Sequence, residues 1–222
     1  MINITDLDGQ AHSIDLDNLG NVALRMDCME LMRALPDKCF ELSIVDPPYG
    51  IGAAKEKPHN GWKDYGIKLW DEIPPPKEYF DELKRVSVNQ IIWGGNYFTN
   101  NLSPSMGWVF WDKMQREFSL ADGELAWTSF DKALRAFNYS RAQALQDGKI
   151  HPTQKPIELY AWLLSKYAHK GDKILDTHLG SGSSRIAAWQ AGYNFLGAEI
   201  DQDYFKAQEE RYASYAAQYK LF

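Results

Sequence analysis

The apolar run Leu42-Ser43-Ile44-Val45 ends abruptly at Asp46-Pro47-Pro48-Tyr49-Gly50. Each proline fixes its own φ, lacks an N–H, and pushes the residue before it toward an extended conformation. No regular element continues through such a stretch, so it reads as a stiff turn at the carboxyl end of a strand. Open α/β sheets bind their ligands at that end. The turn presents a carboxylate, a free proline carbonyl and a flat ring together. Two acceptors and one stacking face suit a planar amine. Taken alone, the tetrapeptide also fits an ordinary strand-to-loop turn.

The second half of the chain narrows the choice. Lys173 to Asp176 reads as a short buried strand that runs into Thr177-His178-Leu179-Gly180-Ser181-Gly182-Ser183-Ser184. A helical stretch from Arg185 to Ala191 follows, closed by Gly192. Strand, glycine-rich turn and helix form the nucleotide-binding arrangement, in which glycines let the backbone approach a ligand and the helix start offers free N–H groups. Asn194 to Ile200 reads as the next strand, and Glu199 near its end is placed to accept from ribose hydroxyls.

With these motifs in order, the chain resembles the amino-methylating DNA methyltransferases that use S-adenosylmethionine, in their circularly permuted arrangement. Asp46-Pro47-Pro48-Tyr49 is similar to the catalytic motif, and His151-Pro152-Thr153-Gln154-Lys155-Pro156 to the segment ahead of the cofactor half. Asp176 to Gly182 is similar to the cofactor loop, and Gly197-Ala198-Glu199-Ile200-Asp201 to the ribose-binding strand end. Met26-Asp27-Cys28 is a weaker fifth match, to the acid that faces the cofactor adenine. The resemblance runs from about Asp27 to about Tyr204. One departure stands out, because the family's loop usually has Asp-Pro-Phe where this chain has Asp176-Thr177-His178.

The resemblance implies an α/β, Rossmann-like class I methyltransferase fold. Its sheet is mostly parallel with an antiparallel edge, and helices cover both faces. It implies Asp46, Pro47, Pro48 and Tyr49 as the catalytic set. It implies cofactor contacts from Asp27, Cys28, Asp46, Thr153, Lys155, Asp176, His178, Gly180, Ser181, Gly182, Ser183, Glu199 and Ile200. In the family an acid at the first catalytic position goes mostly with adenine and a serine mostly with cytosine. Asp46 therefore favours N6 of adenine, with N4 of cytosine as the alternative.

An aromatic amine is a weak nucleophile whose hydrogens must be held while nitrogen pyramidalises. Asp46 and the Pro47 carbonyl can hold them, and Tyr49 can stack on a base flipped from the duplex. Two other classes stay open. One is a catalytically silent nucleic-acid-binding relative, disfavoured by the intact set Asp46, Tyr49, Asp176 and Glu199. The other is a protein-glutamine methyltransferase, which uses a similar turn with Asn first.

The 222 residues suit one domain spanning 1–222, with no metal spacing. Cys28 and Cys39 give no disulfide framework, and with no leader-like or membrane-length apolar run the expected compartment is the cytoplasm. The net charge of −6 is unfavourable for a double-stranded DNA partner, so a local basic face is needed. Residues 131–150 are the candidate, with Lys132, Arg135, Arg141 and Lys149 interleaved with Phe137 and Tyr139. Lys132, Arg135 and Arg141 are assigned to DNA. The long irregular stretch 50–76 reads as a mobile loop over the substrate. The short recognition region leaves room for a homodimer, and the lack of an accessory domain suits a phage or prophage enzyme.

Further elements are read from patterning. Residues 1–20 form an edge hairpin or an irregular start. Strands are expected at Asn21–Met26, Glu41–Val45, Gln90–Trp93, Trp108–Trp111 and Glu124–Trp127, the last two paired antiparallel at an edge. Helices are expected at Met29–Leu35, Lys77–Val86 and Pro156–His169. The last has an apolar stripe of Ile157, Tyr160, Ala161, Leu164 and Tyr167.

Overall fold

A computed structural model describes residues 1–52, 71–117, 120–146 and 148–219. The central part of the 50–76 stretch, 53–70, lies outside the described residues. Among the described residues the strands are β1 (Ile2–Thr5), β2 (Ala11–Ile14), β3 (Asn21–Arg25), β4 (Phe40–Val45), β5 (Ser87–Trp93), β6 (Trp108–Asp112), β7 (Gly123–Thr128), β8 (Arg135–Asn138), β9 (Lys173–Asp176) and β10 (Asn194–Glu199). The helices are α1 (Cys28–Ala34), α2 (Lys77–Val86), α3 (Arg141–Gln146), α4 (Ile157–Tyr167), α5 (Ser183–Gln190) and α6 (Gln202–Tyr219).

Eight strands form one sheet in the order β3-β10-β9-β4-β5-β7-β6-β8. The run from β3 to β5 is parallel, and β7 is antiparallel to both β5 and β6. The expected antiparallel pair is therefore present, but it is not the edge. β8 lies outside it, parallel to β6. The first residues form a hairpin in which Ile2 pairs Ile14, and Ile4 and Ile14 pack into the core on the side of α1 and α2.

Local sequence accounts for the helices that frame the site. The Asp27 carboxylate caps α1, accepting from Met29 N–H at 2.8 Å and Glu30 N–H at 3.1 Å. In α2, Tyr79, Phe80, Leu83 and Val86 recur at helical spacing and face the sheet, while Lys84 and Arg85 suit the negative end of the helix. Pro156 caps α4 rather than sitting inside it. The α4 stripe is wider than expected: Leu159 and Leu163 are buried and Ala161 is exposed. This helix is covered on two sides, by the sheet and by α5, so a single stripe does not suffice. One apolar core lies between the sheet and α1 and α2, and a second between the sheet and α4 and α5. The ends of β3, β10, β9, β4 and β5 and the start of β7 meet along one rim of the sheet.

Candidate active site

The turn after β4 stands at the centre of that rim. Asp46 Oδ1 accepts from the Tyr49 hydroxyl at 2.6 Å, and Oδ2 accepts from Lys155 Nζ at 2.5 Å. Asp71 fixes the turn from outside, through an Oδ1 that accepts Tyr49 N–H at 2.6 Å and Gly50 N–H at 3.0 Å. The Asp71 carbonyl accepts Gly52 N–H at 2.9 Å, and the residue is only 2% exposed. The Tyr49 ring packs on Gly94, whose φ of +68° and closeness to the ring leave no room for a side chain. It also lies nearly parallel to the half-exposed Tyr97, with centroids 5.1 Å apart and planes 17° apart.

Lys155 ties this turn to the edge half of the sheet. Its ammonium also donates to Tyr49 Oη at 3.2 Å and pairs with Glu124 Oε2 at 3.0 Å. Glu124 Oε1 pairs in turn with Lys113 Nζ at 2.6 Å. Burial alone would lower Lys155, but the Asp46 and Glu124 carboxylates outweigh it and leave the ammonium held above its ordinary range. Burial likewise opposes ionisation of Glu124, yet two lysines bring it down to about 2. Asp46 is pushed up by burial and by the Glu124 charge, against the pull of Lys155. One shared cation therefore serves two carboxylates, and Asp46 is the less favoured of the two.

Asp46 borders two cavities. The one of about 270 Å³ is lined by Asp27, Cys28, Pro48, Thr153, Lys155, His178, Gly180, Ser181, Glu199 and Ile200, among others. Glu199 accepts Gly180 N–H at 2.8 Å through Oε2 and Asp201 N–H at 2.9 Å through Oε1. Gly180 takes a φ of +51°, and a side-chain carbon there would meet nothing closer than the His151 ring at 3.8 Å. Burial lowers His151 to about 3 and His178 to about 4, so both rings are neutral near pH 7.

Asp176, Gly182 and Ser183 are not on this wall. Asp176 sits behind it, accepting from Ser184 Oγ at 2.5 Å and His178 N–H at 3.0 Å, and burial raises it to about 7. Gly182 serves a different close approach, because a side-chain carbon there would fall 3.1 Å from Gln208 of α6. Ser183 Oγ faces Ser181 and accepts from Arg211. These three support the loop from within, whereas the sequence pattern had them on the ligand.

The second cavity, of about 550 Å³, opens beyond Asp46, Pro47 and Tyr49 toward β6, β7 and α3. Arg141, Lys113 and Lys149 line it. Lys149 is lowered by burial and by the nearby Arg141 and Lys113 charges. Lys132 and Arg135 are elsewhere. Arg135 opens β8 opposite Val109, at the far end from where β6 reaches the cavity. Lys132 donates to the Lys166 carbonyl at 3.3 Å and lies over the Phe130 and Tyr167 rings. Residues 131–150 are thus not one surface. Sequence reading missed Asp71, Tyr97, Lys113 and Glu124, which carry no motif: Glu124 and Lys113 reach the site through the pairing of β7 and β6, Asp71 and Tyr97 from segments outside the strands. Among the described residues no helix is long and apolar enough to cross a membrane.

A mostly parallel sheet with an acidic turn at the rim between two cavities defines the Rossmann-like methyltransferase class, and comparison with solved structures agrees. The M1.HpyAVI–SAM complex matches with TM-score 0.56 at 20% identity, covering 85% of this chain and 97% of that one. The cytosine-N4-specific PvuII DNA methyltransferase matches with TM-score 0.58 at 13% identity, covering 89% and 90%. The Type II methyltransferase M.HinfI of Haemophilus influenzae is 24% identical over 249 residues, covering 89% of this chain and 69% of its own. Residues 74–210 match the N6/N4 DNA methylase model, and the chain belongs to that DNA methylase family.

Proposed function

We propose that the chain transfers a methyl group from S-adenosylmethionine to N6 of adenine in duplex DNA, on a base flipped into the larger cavity. The observation that carries this is the position of Asp46, whose side chain borders both cavities. The smaller cavity fits the cofactor. Glu199 keeps lone pairs for ribose hydroxyls, Asp27 offers an acceptor at the far wall, and Met26, Pro48, Leu179 and Ile200 give apolar walls. Asp46 adds a negative charge suited to a sulfonium. When bound, S-adenosylmethionine supplies a methyl group on a positively charged sulfur that leaves readily.

The residues of the chain hold the amine. Asp46 and the Pro47 carbonyl accept its two hydrogens, so the lone pair turns away from them toward the cofactor side. The Asp46 carboxylate offsets the positive charge that grows on nitrogen. Each carboxylate oxygen has two lone pairs, so the bonds from Tyr49 and Lys155 leave one acceptor site on each. Tyr49, extended by Tyr97, offers the stacking face, and stacking of roughly 1–3 kcal/mol offsets part of the cost of flipping. Arg141, Lys113 and Lys149 supply a local positive face on an acidic chain.

Cytosine N4 is the second reading, because the Asp46–Pro47 pair grips only the amine, which both bases present. The acid at the first catalytic position favours adenine by family resemblance. Duplex DNA treated with methyl-labelled cofactor, digested to nucleosides and analysed separates the readings. N6-methyladenine is the expected product. N4-methylcytosine alone selects the second reading, and absence of label in either base overturns both.

A further inference from the structure

We propose that Lys155 is a positioning residue of the methyl transfer, whose ammonium keeps Asp46 ionised and aimed against the competing carboxylate of Glu124. This rests on the assignment of Asp46 as the group that grips the amine. Family resemblance implies Lys155 as a cofactor contact; it lines the smaller cavity, but its ammonium is turned to Asp46, Glu124 and Tyr49. The side chain is 1% exposed, and an ammonium has three protons to give. Asp46 Oδ2, Glu124 Oε2 and Tyr49 Oη take all three, at 2.5, 3.0 and 3.2 Å. The Trp93 ring lies 5.1 Å away and adds a cation–π wall. Pro156 disfavours helical backbone at Lys155 and occupies the N-cap position of α4, so Lys155 is set just ahead of that helix.

The charges around Asp46 explain why a cation is needed there. Glu124 faces it from β7, and Asp176 acts on it from β9. The phenols of Tyr49, Tyr79 on α2 and Tyr160 on α4 are held neutral by burial. Lys113 touches Glu124 on the side away from Lys155. Without Lys155, two buried carboxylates would share a site with no cation between them, and one would take up a proton. Asp46 is the one that yields, since Glu124 retains Lys113. A protonated Asp46 loses the negative charge that offsets the developing cation on the amine.

The test is turnover against pH for wild type, Lys155→Met, Lys155→Arg, Glu124→Gln and the double variant Glu124→Gln/Lys155→Met, with cofactor affinity measured by calorimetry. Lys155→Met should lose turnover increasingly as the pH falls and regain it on raising the pH, its acid limb moved up by roughly one to three pH units. Lys155→Arg should keep the limb near wild type. Glu124→Gln should move it down, and the double variant should lie between the two singles. Measured above each variant's acid limb, where Asp46 is ionised, cofactor affinity should stay within a few-fold throughout. An unmoved limb in Glu124→Gln overturns the proposal even if Lys155→Met fails to fold. So does a Lys155→Met variant that loses cofactor affinity at an unchanged pH profile. A side arm with Asp46→Ala separates the two levels. Activity there overturns the Asp46 assignment, whereas an inactive Asp46→Ala beside unmoved limbs overturns only the role of Lys155.

Discussion

The parallel half of the sheet, β3 to β5, and the edge half, β7, β6 and β8, contribute to the site in different ways. The parallel half supplies strand ends in which an acid and a turn are consecutive in sequence: Asp46 after β4, the glycine loop after β9, Glu199 closing β10. The edge half supplies side chains that reach the site only through pairing. Glu124 arrives because β7 runs against β5, with Trp93 opposite Ala126. Lys113 arrives because β6 ends where β7 begins, Asp112 opposite Gly123. The comparison teaches that the smaller cavity is built from local motifs, whereas the larger one is built from register. Substitutions in the two halves should therefore fail in different assays.

The largest separation is expected from Glu199→Ala. It removes the carboxylate that anchors Gly180 and Asp201 and faces the smaller cavity, so cofactor affinity measured by calorimetry should fall about a hundredfold, at the upper end for charged hydrogen bonds. Unchanged affinity would break the assignment of that half. Next comes Tyr49→Ala, expected to lower turnover on DNA by roughly ten- to a hundredfold through lost stacking, with cofactor affinity unaltered. Tyr49→Phe keeps the ring but loses the bond to Asp46 Oδ1, and should cost only severalfold. The smallest effect sharpens the edge half alone. Arg141→Ala should reduce the slope of log affinity for DNA against log salt by about one, while Arg135→Ala leaves it unchanged. Equal slopes for both variants would remove the larger cavity's rim from the DNA surface.

Legibility in the sequence follows the same division. The Asp46 turn and the Gly180 loop could be read because proline and glycine act locally, whatever the rest of the chain does. The helix Lys77–Val86 could be read to its ends because Tyr79, Phe80, Leu83 and Val86 fall on one helical face. β8 was hidden because Arg135-Ala136-Phe137-Asn138 is short and sets one basic residue near one aromatic, a composition equally suited to a nucleic-acid surface. Phe137 turns out to stack on Tyr139 and pack against Trp162 instead. α6 lies largely beyond the resemblance and mixes charges with tyrosines along its length, so no clean apolar stripe announces it. Asp71 and Glu124 were invisible as site residues. A lone acid in an irregular stretch or at a strand start reads as solvated until the tertiary structure buries it against a cation or a pair of N–H groups.

The central claim is that Asp46 grips the amine where the two cavities meet. Calorimetry and single-turnover methylation on the same Asp46→Ala preparation test it most directly. The account predicts cofactor affinity within a few-fold of wild type and no detectable methyl transfer to DNA. Methyl transfer at the wild-type rate by Asp46→Ala would contradict it and place the chemistry elsewhere in the chain.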